Sequence, residues 1–152
     1  VGPEAEKTGV VRHVARMFLK AASVSVPFFT VVLRKGYGLG AQAMAGGGFH
    51  ESVFTVAWPT GEFGGMGLEG YVRLGFRKEM EAIEDPAERQ KYYEAMVAKM
   101  YENGKALSVA TVLEIDEVID PMRTREWVLA GLRSVPRPAP REGKKRPCID
   151  AF

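Results

Sequence analysis

The stretch that decides the fold covers residues 26–44 and has the sequence VPFFTVVLRKGYGLGAQAM. Its first half is a dense run of β-branched and aromatic residues, which is typical of a strand buried on both faces. Gly36, Gly38 and Gly40 then alternate with larger residues, and the small residues after them predict a short helix over 41–45. A buried strand, a glycine turn and a helix N-terminus together direct backbone N–H groups at one point, where an anion or a developing oxyanion can bind.

Taken alone, this glycine turn is compatible with two interpretations. It lacks the Gly-Lys-Ser/Thr ending of a phosphate-binding P-loop and the G-x-G-x-x-G spacing of a dinucleotide-binding turn. A tight strand-to-helix connection with a positive φ would use the same glycines for purely structural reasons. The residue types therefore leave a binding site and a structural turn equally open.

Strands and helices are predicted to alternate along the rest of the chain. Apolar residues at three-and-four spacing indicate helices, whereas short β-branched or aromatic runs indicate strands. The predicted helices cover residues 4–23, 67–83, 86–103, 105–113 and 122–134, and the further strands cover 52–58, 61–66 and about 116–119. Asp85 and Asp120 are placed to cap the helices that follow them. This order predicts an α/β fold with a thin, largely parallel sheet.

The bulk composition excludes several classes of function. The 152 residues carry a net charge of only +2, which is too small to indicate a nucleic-acid partner. Basic residues and prolines concentrate in segment 136–152, which we expect to be a tail that follows a domain over residues 1–135. No apolar run could span a bilayer and no signal peptide is evident, so we expect a cytoplasmic protein without a membrane partner.

Other reactive residue types give weaker signals. The single Cys148 excludes a disulfide within the chain, and no cluster has the spacing of metal ligands, so we predict no metal site. His13 and His50 have no serine, cysteine or carboxylate partner that the sequence could assign. We therefore expect these two histidines to be structural or to lie on the surface.

Several short motifs occur in the order found in one enzyme family. Residues 34–41 (RKGYGLGA) resemble the R-K-x-Y-G-G-A segment of biotin-dependent carboxyltransferases, the β subunits of acyl-CoA carboxylases such as propionyl-CoA carboxylase. Residues 8–13 (TGVVRH) are similar to the family's N-G-I-I-R-H helix, and Val26-Pro27 precedes the strand as it does there. Residues 57–67 resemble its A-W-P-T…M-G element, and residues 119–125 (IDPMRTR) resemble its I-D-P-x-x-T-R ending.

The resemblance implies a fold and a reason for the thin sheet. The family fold is the ClpP/crotonase-type ββα superhelix, and the β subunit contains two such domains. The resemblance covers the later part of the C-terminal domain, so the missing N-terminal part would hold the earlier strands. We therefore expect the chain to be a fragment, as its abrupt start at Val1 also indicates. The fragment alone should be inactive, because the family's active site needs the N-domain of a neighbouring protomer within a homo-oligomer.

The resemblance also implies a site. In this family an oxyanion hole of the C-domain binds the ureido oxygen of carboxybiotin, and a carboxyl group passes to the α-carbon of a short acyl-CoA. A biotin carboxyl carrier or biotin carboxylase subunit is the implied partner. By position, the backbone N–H groups of Leu39 and Gly40 correspond to this hole, and Gly38, Tyr37 and Gln42 are implied to bind substrate. Gln42 replaces an acidic or aliphatic residue that lines the acyl pocket, and Leu39 replaces a glycine.

Two alternatives stay open beside the carboxyltransferase. One is a crotonase-like hydratase or a biotin-linked decarboxylase subunit, which dependence on biotin would separate. The other is a non-catalytic assembly module in which the glycines are only structural. Replacing Gly40 in the full protein would separate this module from an enzyme, since an oxyanion hole would lose rate with assembly intact.

Overall fold

The computed structural model describes residues 2–143, which form a mixed α/β structure. The helices are α1 (Pro3–Lys7), α2 (Val10–Ala21), α3 (Gly38–Met44), α4 (Leu68–Gly75), α5 (Arg77–Glu81), α6 (Pro86–Gly104), α7 (Ala106–Thr111) and α8 (Thr124–Ser134). The strands are β1 (Phe29–Val32), β2 (Lys35–Tyr37), β3 (Phe54–Ala57), β4 (Glu62–Gly64) and β5 (Glu117–Val118). A 3₁₀ turn, Pro121–Arg123, precedes α8.

The strands form two parallel sheets rather than one thin sheet. The first sheet has the order β1-β3-β5, with Phe29 opposite Phe54 and Ala57 opposite Val118. The second sheet pairs β2 with β4, so that Tyr37 lies opposite Gly64. The parallel α/β arrangement confirms the predicted fold class. Strand β2 was not predicted, because its residues form a strand through pairing with β4 and not through their own propensity.

The most buried strand is β3, not β1. All four residues of β3 are buried, whereas all four residues of β1 are only half-buried. The prediction that residues 28–34 form a strand buried on both faces is therefore wrong for this chain. The physical reason is position, since β3 lies between two strands and β1 has β3 on one side only within residues 2–143.

Side chains of β3 contribute to two separate hydrophobic clusters because successive residues point to opposite faces of a sheet. Phe54 and Val56 pack with Ile119 in one cluster. The Phe54 ring stacks on Phe29 at a centroid distance of 4.9 Å and meets Trp127 edge-on at 5.4 Å. Ala57 belongs to the second cluster, which is shared by Phe63, Ala106 and Ile115. These clusters hold the two sheets and helices α7 and α8 together.

Two predicted helices are interrupted. The helix predicted over 4–23 ends at Lys7 and restarts at Val10, because Gly9 adopts a left-handed conformation with φ of 76°. The helix predicted over 67–83 is divided at Phe76, whose φ of −110° and ψ of 24° are not helical. Apolar periodicity continues across the break at Phe76, whereas the apolar stripe that predicted the first helix lies entirely after Gly9.

The remaining helix predictions agree well with the structure. Helix α6 covers Pro86–Gly104, and the carboxylate of Asp85 accepts a hydrogen bond from the Ala87 backbone N–H at 3.0 Å. Asp120 likewise accepts from the Met122 N–H at 2.8 Å, but it caps the 3₁₀ turn Pro121–Arg123, whereas α8 begins after Arg123 without a side-chain cap. The predicted cap is therefore confirmed for Asp85, and Asp120 caps the turn that precedes the last helix. Helix α8 ends at Ser134, close to the predicted start of the tail at 136. Cys148 and the other residues of 144–152 lie outside the described residues.

Candidate functional site

The glycine turn is the connection from β2 to α3. Tyr37 is extended, with φ of −109° and ψ of 133°, and the helix begins immediately after it at Gly38. The sequence predicted this helix from residue 41, so it starts earlier than predicted. Leu39 and Gly40 therefore lie in the first turn of α3, where backbone N–H groups have no acceptor within the helix.

Gly38 is required at its position by the backbone. Its φ is +60°, a conformation that L side chains rarely adopt. A Cβ placed on Gly38 would lie only 2.8 Å from the carbonyl oxygen of Gly65. This glycine therefore allows the start of α3 to approach the loop after β4. The structural interpretation of the turn is correct for Gly38.

Leu39 and Gly40 lie on the open side of the same turn. The Leu39 side chain is 69% exposed. A Cβ on Gly40 would meet no atom within 4 Å. Both residues thus lie on an exposed side of the turn.

A cleft of about 570 Å³ opens beside the turn. It is lined by Gly38, Leu39 and Gln42, so three of the five predicted site residues come together there. Tyr37 and Gly40 are not among its lining residues. The cleft continues past β4 and along α4 to the C-terminal ends of α6 and α7.

The Tyr37 side chain is directed to β4. Its hydroxyl donates a hydrogen bond to the Glu62 carboxylate at 2.8 Å. Burial, followed by this hydrogen bond and the negative charge of Glu62, raises the pKa of Tyr37 above its usual value. The hydroxyl therefore stays protonated at neutral pH and joins β2 to β4. Its predicted contact with substrate stays a prediction.

A second tyrosine–carboxylate pair joins α6 to α4. The Tyr101 hydroxyl donates to Glu69 at 2.6 Å. This hydrogen bond is the main reason that the pKa of Glu69 is lowered and that of Tyr101 is raised. The charges of Tyr101 and Glu69 are lesser causes of the raised pKa of Tyr37.

Other motif residues make hydrogen bonds between segments of the chain outside the turn. The Trp58 indole N–H donates to the Thr124 hydroxyl at 3.0 Å, which connects the loop after β3 to α8. The Thr60 hydroxyl donates to the backbone carbonyl of Leu33 at 2.5 Å, just before β2. The motifs at 57–67 and 119–125 are thereby hydrogen-bonded to each other, and the first is also bonded to Leu33, the residue before the motif at 34–41.

The two histidines are exposed and do not line the cleft. Within residues 2–143, no group of three or more His, Cys, Asp or Glu side chains is arranged to hold a metal ion. None of the helices in the described part of the chain is long and apolar enough to cross a membrane.

Sequence reasoning missed most of the cleft wall. Phe63, Leu68, Met100 and Val112 line the cleft, and each comes from a different helix, strand or loop. Their spacing along the chain carries no common signal, because only tertiary packing brings them together. Each appeared in the sequence as an ordinary apolar residue.

Comparison with known proteins supplies the context for this site. The chain matches the carboxyl transferase domain family over residues 1–142. The carboxyltransferase subunit of propionyl-CoA carboxylase from Haloferax mediterranei is 34% identical over 132 residues, which cover 87% of this chain and 25% of that protein. This chain thus spans about a quarter of the length of the curated relatives it matches.

Solved structures give the same result for the fold. One similar structure is that of a single-chain, multi-domain long-chain acyl-CoA carboxylase, which is 54% identical to this chain with a TM-score of 0.72. The superposition covers 86% of this chain and 12% of the carboxylase chain. A second is the transcarboxylase 12S hexamer, which was solved with methylmalonyl-coenzyme A and methylmalonic acid bound. It is 31% identical to this chain, with a TM-score of 0.76, and the superposition covers 96% of this chain and 28% of the transcarboxylase chain. These similarities confirm the predicted crotonase-type α/β fold. The chain belongs to the carboxyl transferase domain family.

Proposed function

We propose that this chain forms the biotin-binding part of an acyl-CoA carboxyltransferase, in which a carboxyl group passes to the α-carbon of an acyl-CoA. The observation that carries the proposal is the family match over residues 1–142, together with the open glycine turn between β2 and α3. Relatives are named as carboxylase and carboxyltransferase subunits and, in one case, as the alpha subunit of a methylmalonyl-CoA decarboxylase. These names favour the proposed function over a hydratase or an assembly module, and the dependence of carboxyl transfer on an acyl-CoA acceptor separates it from the decarboxylase alternative.

The residues around the turn fit a biotin head group. The Leu39 and Gly40 N–H groups lie in the first turn of α3, where hydrogen-bond donors and the helix dipole favour negative charge. Gly38 removes the Cβ that would otherwise separate α3 from Gly65. The first turn of α3 thus offers donors for the oxygen of a flat ring system, on the side where a Cβ on Gly40 would meet no atom within 4 Å.

In this proposal carboxybiotin supplies the carboxyl group, and the chain supplies electrostatic stabilisation. The N–H groups of Leu39 and Gly40 donate to the ureido oxygen, where negative charge increases during the reaction. Because the donors are backbone groups fixed by the helix, they need no rearrangement when the charge develops. Removing one such donor from an oxyanion hole costs about a hundredfold to a thousandfold in kcat. Leu39 can replace glycine because only its N–H is used.

Gln42 is the proposed neighbour of the acyl group. It lies one turn after Leu39 on α3 and lines the cleft. Its uncharged amide would tolerate an apolar acyl group better than a carboxylate would, since burying a charge without a partner is costly. The acyl chain predicted from the sequence is short, and the substrates named for the relatives range from propionyl to long-chain acyl-CoA.

The complete active site needs further protein. We propose that the N-domain of a neighbouring protomer holds the thioester and that a biotin carrier or biotin carboxylase subunit delivers the biotin. A homo-oligomer accords with the hexamer described for the transcarboxylase 12S relative. Residues 1–152 alone are therefore expected to be inactive. The cytoplasmic location stays a prediction from the sequence.

The experiment uses the full-length protein from which this sequence derives. The protein is mixed with a carboxylated biotin carrier and a series of acyl-CoA thioesters, and labelled carboxyl incorporation is measured. We expect incorporation that is abolished by avidin. Absence of incorporation with every acyl-CoA, from an assembled protein, would contradict the proposal. Detectable turnover by the 152 residues alone would contradict the requirement for a second domain.

A further inference from the structure

The residue that precedes α3 is one that cannot cap the helix in the usual way. Tyr37 is the N-cap residue of α3, and its side chain makes no capping hydrogen bond. A capping side chain accepts from the N–H of the second or third helical residue, which in α3 are Leu39 and Gly40. A tyrosine therefore does not occupy these two donors, but the start of the helix lacks the fixed geometry that a cap provides.

The Tyr37 side chain is fixed to the neighbouring strand instead. Its hydroxyl donates to the Glu62 carboxylate at 2.8 Å. Its ring lies beside Gly64, where an added Cβ would be 3.6 Å from the Cδ1 atom of Tyr37. Tyr37 and Gly64 are also opposite each other in the parallel pairing of β2 and β4. The residue before α3 is thus held to β4 both by its backbone and by its hydroxyl.

Glu62 provides a fixed acceptor for this hydrogen bond. Its backbone N–H donates to the Arg34 carbonyl at 2.7 Å, and its backbone also pairs with Lys105, just before α7. Burial, followed by the hydrogen bond to Glu62, raises the pKa of Tyr37, so the hydroxyl remains a donor at neutral pH. Strands β2 and β4 have only three residues each, and a two-stranded sheet is marginally stable by itself. The side-chain bond therefore adds a constraint where the backbone pairing is short.

We propose that Tyr37 and Glu62 are positioning residues for carboxyl transfer, whose hydrogen bond fixes the direction of the Leu39 and Gly40 N–H groups. The inference rests on the proposed function, in which these N–H groups stabilise the charge on the biotin oxygen. Tyr37 acts through the backbone that follows it, which is a different role from the substrate contact that its motif implied. The pair should affect kcat and leave KM unchanged, because the N–H groups act most strongly when charge develops in the transition state.

The first test measures carboxyl transfer by the full-length, assembled protein. Tyr37→Phe removes the hydroxyl and keeps the ring. It should lower kcat about tenfold, since a misplacement of about 1 Å near reacting atoms can cost up to about a hundredfold. The KM values for acyl-CoA and for the carboxylated biotin carrier should stay unchanged. Glu62→Gln retains an acceptor oxygen and should keep most of the rate, whereas Glu62→Ala should lose as much as Tyr37→Phe. Combining Tyr37→Phe with Glu62→Ala should cause no further loss, because both remove the same bond.

Tyr101→Phe is the matched control for a purely structural role. The Tyr101 hydroxyl also donates to a carboxylate, that of Glu69 at 2.6 Å, but this bond joins α6 to α4 and does not involve β2. Both tyrosines are half-buried, so the two variants should lower the free energy of unfolding by similar amounts. Only Tyr37→Phe should lower kcat. Equal kcat in the two variants would overturn the inference. A raised KM with unchanged kcat in Tyr37→Phe would also overturn it, because it would indicate direct contact with a substrate.

Backbone hydrogen exchange tests the positioning without an activity assay. In the full-length protein, Tyr37→Phe should speed exchange at residues 41–45, which α3 protects, by about fivefold, as loss of one hydrogen bond does when exchange follows local opening. Tyr101→Phe should leave this segment unchanged. Unchanged exchange in Tyr37→Phe would overturn the inference. Absence of carboxyl transfer by the unmodified protein would instead remove the proposed function and the role of the pair in it, while faster exchange in Tyr37→Phe would still show that the pair fixes the start of α3.

Discussion

The two sheets of this structure are built from different kinds of residue. The sheet β1-β3-β5, here called the aromatic sheet, is stabilised by the rings of Phe29, Phe54 and Trp127. The sheet β2-β4, here called the glycine sheet, contains Gly36 and Gly64 and leads into α3. The first depends on side chains that fill space, whereas the second needs positions without a side chain beside the buried ring of Phe63.

We infer from this difference that the aromatic sheet contributes mainly to stability and that the glycine sheet contributes mainly to the position of the candidate site. Rings in the aromatic sheet bury apolar surface, which is the main favourable contribution to folding. Glycines in and around the glycine sheet allow backbones to approach each other, so that the first turn of α3 is held at the edge of a cleft. Removing side chains should therefore harm the aromatic sheet, and adding them should harm the glycine sheet. Four substitutions test this comparison.

The largest effect is expected for Phe54→Ala in the aromatic sheet. Phe54 is only 7% exposed and contacts two other rings, so the variant leaves a cavity between β1, β3 and α8. Loss of a buried phenylalanine costs about 3–5 kcal/mol in free energy of unfolding. Urea denaturation of the full-length protein measures this loss in free energy of unfolding. The matched variant Phe28→Ala, at a position 39% exposed, should cost much less. Equal losses would contradict the role of this sheet.

Gly38→Ala should have the next largest effect, on rate rather than on folding. The variant forces an L residue into φ of +60° and places a Cβ 2.8 Å from the Gly65 oxygen. The first turn of α3 must then move, and a displacement of about 1 Å near reacting atoms can cost about a hundredfold. Steady-state carboxylation by the full protein measures kcat. Gly67→Ala, where a Cβ meets no atom within 4 Å, is the control. Full activity of Gly38→Ala would refute the close approach as a functional requirement.

A smaller effect is expected for Thr124→Val, which disrupts the connection between the loop after β3 and α8, both of which pack on the aromatic sheet. The variant keeps the shape of the side chain but removes the acceptor of the Trp58 indole N–H. It also removes the hydrogen bond to the Pro121 carbonyl. Leaving a partly buried donor unpaired should lower the free energy of unfolding by about 1 kcal/mol. The stability of Thr124→Val is measured by thermal unfolding and compared with that of the control Thr111→Val, which removes an exposed hydroxyl. No difference between the two variants would show that the connection is dispensable.

The smallest effect is expected for Tyr37→Phe, on the pH dependence of the free energy of unfolding. Because the pKa of Tyr37 is raised in the folded chain, the folded state keeps this proton more tightly than the unfolded state. The associated stability is present below the ordinary tyrosine pKa of about 10 and is lost as pH rises toward the folded value. Tyr37→Phe should therefore flatten the alkaline loss of stability, measured by denaturation between neutral and strongly alkaline pH. Identical alkaline slopes would contradict the raised pKa that burial and the Glu62 hydrogen bond give Tyr37.

The aromatic sheet was easier to predict than the glycine sheet. Strand β3 and helix α6 follow from local patterns, since β-branched runs and a capped apolar stripe are properties of neighbouring residues. Strand β2 could not be predicted, because Lys35–Tyr37 becomes a strand only by pairing with Glu62–Gly64. The greater burial of β3 over β1 likewise depends on strand order, which hydrophobicity does not encode.

The candidate site was only partly predicted, because much of it also depends on tertiary packing that local sequence does not encode. The sequence indicated the turn and, through the family resemblance, the N–H groups of Leu39 and Gly40. It did not reveal the cleft, because Leu68, Met100 and Val112 are far apart along the chain. It also did not show that Tyr37 donates to Glu62, which depends on the register of two strands.

The most direct test of the central claim is to remove one backbone donor. Gly40→Pro deletes the N–H in the first helical turn, where no helical hydrogen bond is lost, and Gly40→Ala retains it. Both are assayed as full-length, assembled protein for the transfer of labelled carboxyl groups to acyl-CoA. An oxyanion hole predicts that Gly40→Pro lowers kcat about a hundredfold to a thousandfold, while Gly40→Ala keeps most of the rate. Similar rates for the two variants would contradict the assignment.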